Sequence, residues 1–254
     1  MTAGSAALLL LAGVAAGLTG SIAGLASLFS YPALLAAGLP PIAANVTNTV
    51  ALFSTTVGAA AASRRELRSQ RARLVRLALL AVVGGSVGAV LLLSTPPEAF
   101  EAVVPWLVAL GAGLLLARDR LRAMADQRAA GPTSAILPAI PAMIAVVLVG
   151  VYGGYFGAGA GVLMLAVLSV TATEPLPVTN AVKNVVTGAA NVTAGVAYAF
   201  LAPVDWVAAV ALGAGALVGA WIGPAIVRRV PERPLRIAIA VAGFGLAGHL
   251  WLSG

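Results

Sequence analysis

Long apolar runs alternate with short polar breaks along this chain. A helix needs about 20 apolar residues to cross the hydrocarbon core of a bilayer. Runs of that order occur at about eight places, at residues 4–29, 42–63, 74–94, 99–117, 136–169, 178–200, 204–227 and 234–252. They lack the dyad alternation of barrel strands, so they predict helices, whose backbone groups are satisfied within each segment. Pro40-Pro41, Pro96-Pro97, Pro175, Pro177 and Pro203 mark the boundaries, because proline removes a helical donor and clashes with the preceding turn. The pattern predicts an all-α polytopic membrane protein.

The runs repeat. Asn45 matches Asn180 and Pro40 matches Pro175, both at a shift of 135 residues. Gly84 and Gly88 match Gly215 and Gly219, and the glycine-rich stretch from Gly17 to Gly24 matches that from Gly150 to Gly157. The expected organisation is a first transmembrane repeat over 1–117, a basic linker over 118–135 and a second repeat over 136–254, with a glycine-broken, discontinuous helix opening each. Internal repetition is a recurring plan of secondary transporters, which place substrate near the midplane between the repeats. Four spans per repeat predict parallel copies. One re-entrant glycine-broken segment in a repeat makes its count odd and predicts inverted copies. The sequence leaves both open.

Composition sharpens this picture. Of 254 residues, 61% are hydrophobic and only 9% are charged, whereas soluble domains carry about 25% charged residues. The net charge of +7 does not indicate nucleic-acid binding, because every arginine lies in one of three clusters, Arg64 to Arg76, Arg118 to Arg128 and Arg228 to Arg236. Such clusters flanking apolar segments are topology determinants that stay on the cytoplasmic side. Simple alternation of eight spans puts the third cluster on the wrong side, a conflict the sequence does not resolve. With no cysteine and one histidine, His249, neither a disulfide framework nor a metal site is expected, and no cofactor is implied. The apolar start lacks the basic leader of a signal peptide, so it reads as a retained membrane segment.

Candidate chemistry concentrates in two places. The glycine breaks are Gly17, Gly20 and Gly24 in the first half and Gly150, Gly153, Gly154, Gly157, Gly159 and Gly161 in the second. They read either as close helix packing or as unwound backbone whose half-helix N-termini attract an anion. The second place is a polar stripe. Asn180, Lys183, Asn184, Thr187 and Asn191 recur at helical spacing, and so do Asn45, Asn48, Thr49 and Thr56. The asparagines and threonines serve either as interhelical hydrogen-bond glue or as ligands for oxygen atoms of a substrate. Lys183, the single lysine, lies in an otherwise uncharged span, where an ion is a functional-site hypothesis by default; the alternative is that it snorkels to an interface. Tyr31, Tyr152 and Tyr155 are weaker pathway candidates, and the tryptophans read as interfacial. Glu98, Glu101, Glu174, Asp205 and Glu232 sit at segment ends and read as loop charges; Asp205 and Glu174 matter only if transport is proton-coupled. No nucleophile–base pair or carboxylate pair is present to suggest an enzyme.

The glycine-rich opening, the stretch ending Gly38-Leu-Pro-Pro-Ile-Ala-Ala-Asn45, the Asn/Thr-rich helix after it, the arginine loop, and the recurrence of this plan from Gly150 together resemble the TauE/SafE family of sulfite and organosulfur-anion exporters. The resemblance covers nearly the whole chain. It implies a carrier in the inner cell membrane that exports sulfite, sulfoacetate or a related organosulfonate, with a small anion and the lipid bilayer as partners. Many members carry a Thr/Ser-rich second helix in each half, where this chain has Asn45, Asn48, Asn180 and Lys183. The candidate substrate-binding set is Lys183, Asn184, Asn180, Asn45, Asn48, Thr49, Thr187, Asn191, Gly20, Gly24, Gly154 and Gly157. A passive anion channel and a carrier of another small carboxylate are the alternatives. The spans hold no acid away from their ends, which argues against a cation carrier.

Overall fold

The computed structural model describes residues 3–68, 70–129, 139–171, 174–226, 241, 244–245, 247–248 and 250–252. The third arginine cluster, His249, Glu232, residues 130–135 of the linker and most of the last apolar run lie outside the described residues. Among the described residues every regular element is an α-helix: α1 (Ala3–Ala23), α2 (Ser27–Ala36), α3 (Pro41–Ala51), α4 (Phe53–Ala62), α5 (Arg64–Leu67), α6 (Arg71–Leu93), α7 (Pro97–Ala129), α8 (Ala139–Tyr155), α9 (Ala160–Thr171), α10 (Leu176–Leu201) and α11 (Trp206–Ile226). The stretches Gly4–Ser21, Arg71–Leu93, Pro97–Ala117 and Pro177–Leu201 are long and apolar enough to cross a membrane. The protein is therefore a polytopic helical membrane protein.

Two of the expected long segments are broken where glycine permits it. The first ends at Gly24, which takes φ +73°, and the fifth at Gly157 and Gly159, with φ +81° and +80°. Residues with a Cβ rarely adopt this left-handed backbone. The segment 42–63 also breaks, at Leu52 between α3 and α4, without a glycine to announce it. Pro40 and Pro175 stand at the N-caps of α3 and α10 as the sequence predicts, each followed by proline in the first turn.

Glycines that admit a neighbouring backbone fix the relative directions of the helices. A Cβ on Gly13 would lie 2.1 Å from the Leu212 carbonyl oxygen, and one on Gly17 would lie 2.1 Å from that of Ala216. Contacts that advance together mean that α1 and α11 run parallel. In the same way Gly84 meets Val147 and Gly88 meets Val151, so α6 and α8 run parallel. These two interfaces are alike: Gly150 meets Ala81 and Gly154 meets Gly85, as Gly13 meets Leu212 and Gly17 meets Ala216. The packing thus pairs Gly17 with Gly154, four residues beyond the Gly150 that the sequence comparison aligned with it. Between the central helices the order reverses. Gly188 of α10 lies against Thr56, and Gly195 against Thr49 and Val50, so α10 runs antiparallel to α3 and α4.

The broken segments are helical hairpins. Ser27 and Ser30, at the start of α2, bond to Asn48 near the end of α3, while a short turn joins the other ends of these helices. Helix α2 is therefore antiparallel to α3. Gly58 packs on Leu217 and Ala220, and Gly213 on Ala51, so the α3–α4 arm is parallel to α11 and hence to α1. It follows that α2 doubles back along α1. Helix α9 doubles back in the same way, since its first residue, Ala160, shares a cavity with Asn191 while its other end is joined to the start of α10. The hairpin tips meet at Gly24 and Gly161, where a Cβ on either would lie 2.5 Å from the other's Cα.

Candidate substrate site

Where the hairpin tips cross the central helices, the chain lines a partly open cavity of about 60 Å³, room for a few waters. The end of α1 and its tip contribute Gly20, Ser21, Gly24 and Ala26, and α2 contributes Ser27. The second tip and α9 contribute Gly157, Ala160 and Gly161, and the central helices add Leu52, Thr55, Thr56, Ala59, Asn184, Thr187, Gly188 and Asn191. No lining side chain is charged.

Two reversed half-helices begin at this cavity. Helices α2 and α9 start at Ser27 and Ala160, both of which line it. The first amides of a helix have no intrahelical carbonyl to bind, and the N-terminus carries about half a positive charge. No side chain caps α2. The turns already take most of these amides: Leu28 and Phe29 donate to the carbonyls of Leu25 and Ala26, and Ala160 and Val162 to those of Gly157 and Gly159. What the two ends bring to the cavity is the positive end of each helix dipole.

The polar stripes divide into two roles. Asn184 lines the cavity and its Nδ2 donates to the Ser21 carbonyl at 3.1 Å, and Asn180 donates to the same oxygen at 3.4 Å. Asn45 Nδ2 donates across to the Tyr155 carbonyl at 2.9 Å. Ser21 and Tyr155 lie at the ends of α1 and α8, where carbonyls have lost their helical donors. These amides hold the broken helices in place across the two halves. Asn48 is buried between Ser27, to which it donates, and Ser30, from which it accepts. Thr49 bonds back to the Asn45 carbonyl, and Thr187 to that of Lys183.

Of the sequence-selected residues, Asn184, Thr187, Asn191, Gly20, Gly24 and Gly157 line the cavity. Asn180, Asn45, Asn48 and Thr49 form the hydrogen-bonded shell around it, and Gly154 lets α8 approach α6 and accepts a bond from the Tyr198 hydroxyl. Lys183 is wholly buried and is not among the lining residues. It precedes Asn184 on α10, and successive residues turn by about 100° around a helix. Ser21, Ser27 and Thr55 line the cavity but were not singled out from the sequence, whereas Gly161, which lines it too, belongs to the second glycine break. The first-half stripe already held Thr56 and pointed to its neighbourhood, whereas the serines carried no signal beyond closeness to the glycine break. Two loop charges have structural roles. Glu174 pairs with Arg73 at 2.8 Å, and Asp205 caps α11 through Oδ1, which accepts from the Ala208 amide.

The family profile described as "Sulfite exporter TauE/SafE" matches residues 9–250. The chain belongs to the sulfite exporter TauE/SafE family. This TauE/SafE protein is 27% identical over 246 residues to the "Probable membrane transporter protein ORF9" of Sinorhizobium sp, a match covering 96% of this chain and 91% of that protein. No solved structure matches the chain. Family, relative and apolar helices together make it a multi-pass membrane transporter, and the crossed hairpins are where its polar groups converge.

Proposed function

We propose that the protein is a secondary transporter that exports a small sulfur-containing anion, sulfite or a close relative, across the cell membrane, and that it binds this anion between the hairpin tips. The observation that carries the reading is the pair of reversed half-helices, α2 and α9, that begin at one uncharged polar cavity. An anion there gains from both helix ends and from the Ser27 hydroxyl, which accepts from Asn48 and keeps its own proton to donate; a cation meets the same potential as repulsion. Sulfur as the central atom comes from the family. A cavity of about 60 Å³ suits a small, compact anion such as sulfite. Buried Lys183, beside the stripe, adds positive potential at longer range.

Thermal stability of the detergent-purified protein tests the reading, with sodium sulfite, sulfoacetate, taurine, thiosulfate and small carboxylates compared against sodium chloride. A ligand that prefers the native state stabilises it, by about 2.7 kcal/mol at a hundred times its Kd. Stabilisation by sulfite or a sulfonate, lost in Asn184→Asp, is the expected result, since a carboxylate in the cavity repels the anion and removes a donor to the end of α1. No stabilisation by any anion overturns the proposal.

A further inference from the structure

The cavity is not centred on the relation that links the two halves. Gly20 and Gly157, Gly24 and Gly161, and Thr56 and Asn191 are equivalent pairs in the two halves, and both members of each line it. Other equivalent pairs are split. Asn184 lines the cavity and is half-buried, whereas its equivalent, Thr49, is 6% exposed and does not line it. Ala59, though only 5% exposed, lines it, whereas Ala194 has no exposed surface and does not. Ser21, at 6% exposure, lines it, whereas Ala158, at 1%, does not.

The split residues that line the cavity lie toward one face. Ala59 is on the last turn of α4, just before the first arginine cluster, and Asn184 is on the half of α10 that begins beside Glu174, itself paired with Arg73. That face carries Arg64 to Arg76. Helix α7 starts on the opposite face, where α6 ends, and its 33 residues bring the second cluster back. Helix α11, parallel to α4, ends on the arginine face directly before Arg228 in sequence. With each hairpin entering and leaving by one face, the first half crosses the membrane an odd number of times, through α3–α4, α6 and α7, so the second half starts from the opposite face. The first two arginine clusters then share one face, as the positive-inside rule requires, and α11 ends on that same face.

We infer that the halves are inverted copies and that the structure is the conformation open toward the cytoplasmic, arginine-bearing face. The route to the opposite face is the equivalent set around Thr49, Ala158 and Ala194, here closed by packing. Exchange of the two halves' conformations opens that route and closes the first, because inverted copies of one fold can each adopt the other's arrangement. This deepens the carrier reading above.

The chain contains no cysteine, so single cysteines report without background. Ala59→Cys and Thr187→Cys mark the open route; Ala194→Cys and Thr49→Cys mark the closed one. Each is placed in full-length protein in vesicles of known orientation and exposed to a small membrane-impermeant methanethiosulfonate from either side. Gel filtration and melting exclude misfolded variants, and the two markers per route guard against losing one. The expected result is that Ala59→Cys and Thr187→Cys react only from the arginine face. Thr49→Cys and Ala194→Cys then react from the opposite face alone, at least about tenfold more slowly. Reaction of all four from one face, of all four from both faces as in an open channel, or of the second pair from neither face overturns the inference. No substrate enters this experiment, so failure of the anion reading in the stability assay leaves its outcome untouched.

Discussion

The crossing of the hairpin tips makes a quantitative prediction for three glycines. At Gly24 an alanine meets two penalties: a left-handed backbone at φ +73° and a Cβ 2.5 Å from the Gly161 Cα. The first costs about 1–2 kcal/mol, and overpacking costs about 1–3 kcal/mol. Gly24→Ala is therefore expected to lose about 2–5 kcal/mol. Two other positions separate the terms. Gly38, in the α2–α3 turn, has φ +93° with open space around its missing Cβ, so Gly38→Ala reports backbone strain alone. Gly161 is absent from the positive-φ glycines but its Cβ would lie 2.5 Å from the Gly24 Cα, so Gly161→Ala reports the overlap alone. Equilibrium unfolding in one detergent, followed by circular dichroism, gives the three differences. The reasoning is refuted if Gly161→Ala matches the parent protein, or if Gly24→Ala is no worse than Gly38→Ala. Either result means that the tips do not touch and that the cavity between them is not built as described.

Two further outcomes are expected. Tyr198→Phe removes a buried hydroxyl that serves the Gly154 carbonyl on the last turn of α8 and is predicted to cost about 1 kcal/mol in the same unfolding measurement, with anion-induced stabilisation unchanged because Tyr198 is outside the cavity lining. Lys183→Gln is predicted to weaken anion binding several-fold in a titration, because it removes the basic side chain beside the stripe and a charge acts through a potential that falls only inversely with distance. Unchanged affinity in a folded variant removes Lys183 from the site.

The Asn184 and Lys183 assignments show how far a linear pattern reaches. Periodicity put Asn180, Asn184, Thr187 and Asn191 on one helical stripe, and three of these four line the cavity. It also drew Lys183 into the stripe, because spacings of three and four residues both count as one face, yet the packed helix turns it off the lining. The asparagine amides illustrate a second limit. Their recurrence in both halves was visible, but their partners, the carbonyls of Ser21 and Tyr155, belong to the opposite half. Whether an amide binds substrate or mends a broken helix depends on which backbone ends arrive beside it.

The sequence alone determined that this chain lives in a bilayer as helices, that glycine interrupts two of its segments, and that its motifs recur. These follow from local physics: hydropathy over about 20 residues, the left-handed backbone open to glycine, and proline at helix starts. The tertiary structure alone decided that the interrupted segments double back instead of continuing. A glycine permits a break of any angle, and only packing against α11, α6 and the central helices selects the hairpin. That choice turns α2 and α9 back along α1 and α8 and brings the two helix N-termini to one cavity. Each depends on contacts between residues more than a hundred positions apart, such as Gly24 with Gly161 and Asn45 with Tyr155, which no window along the chain contains.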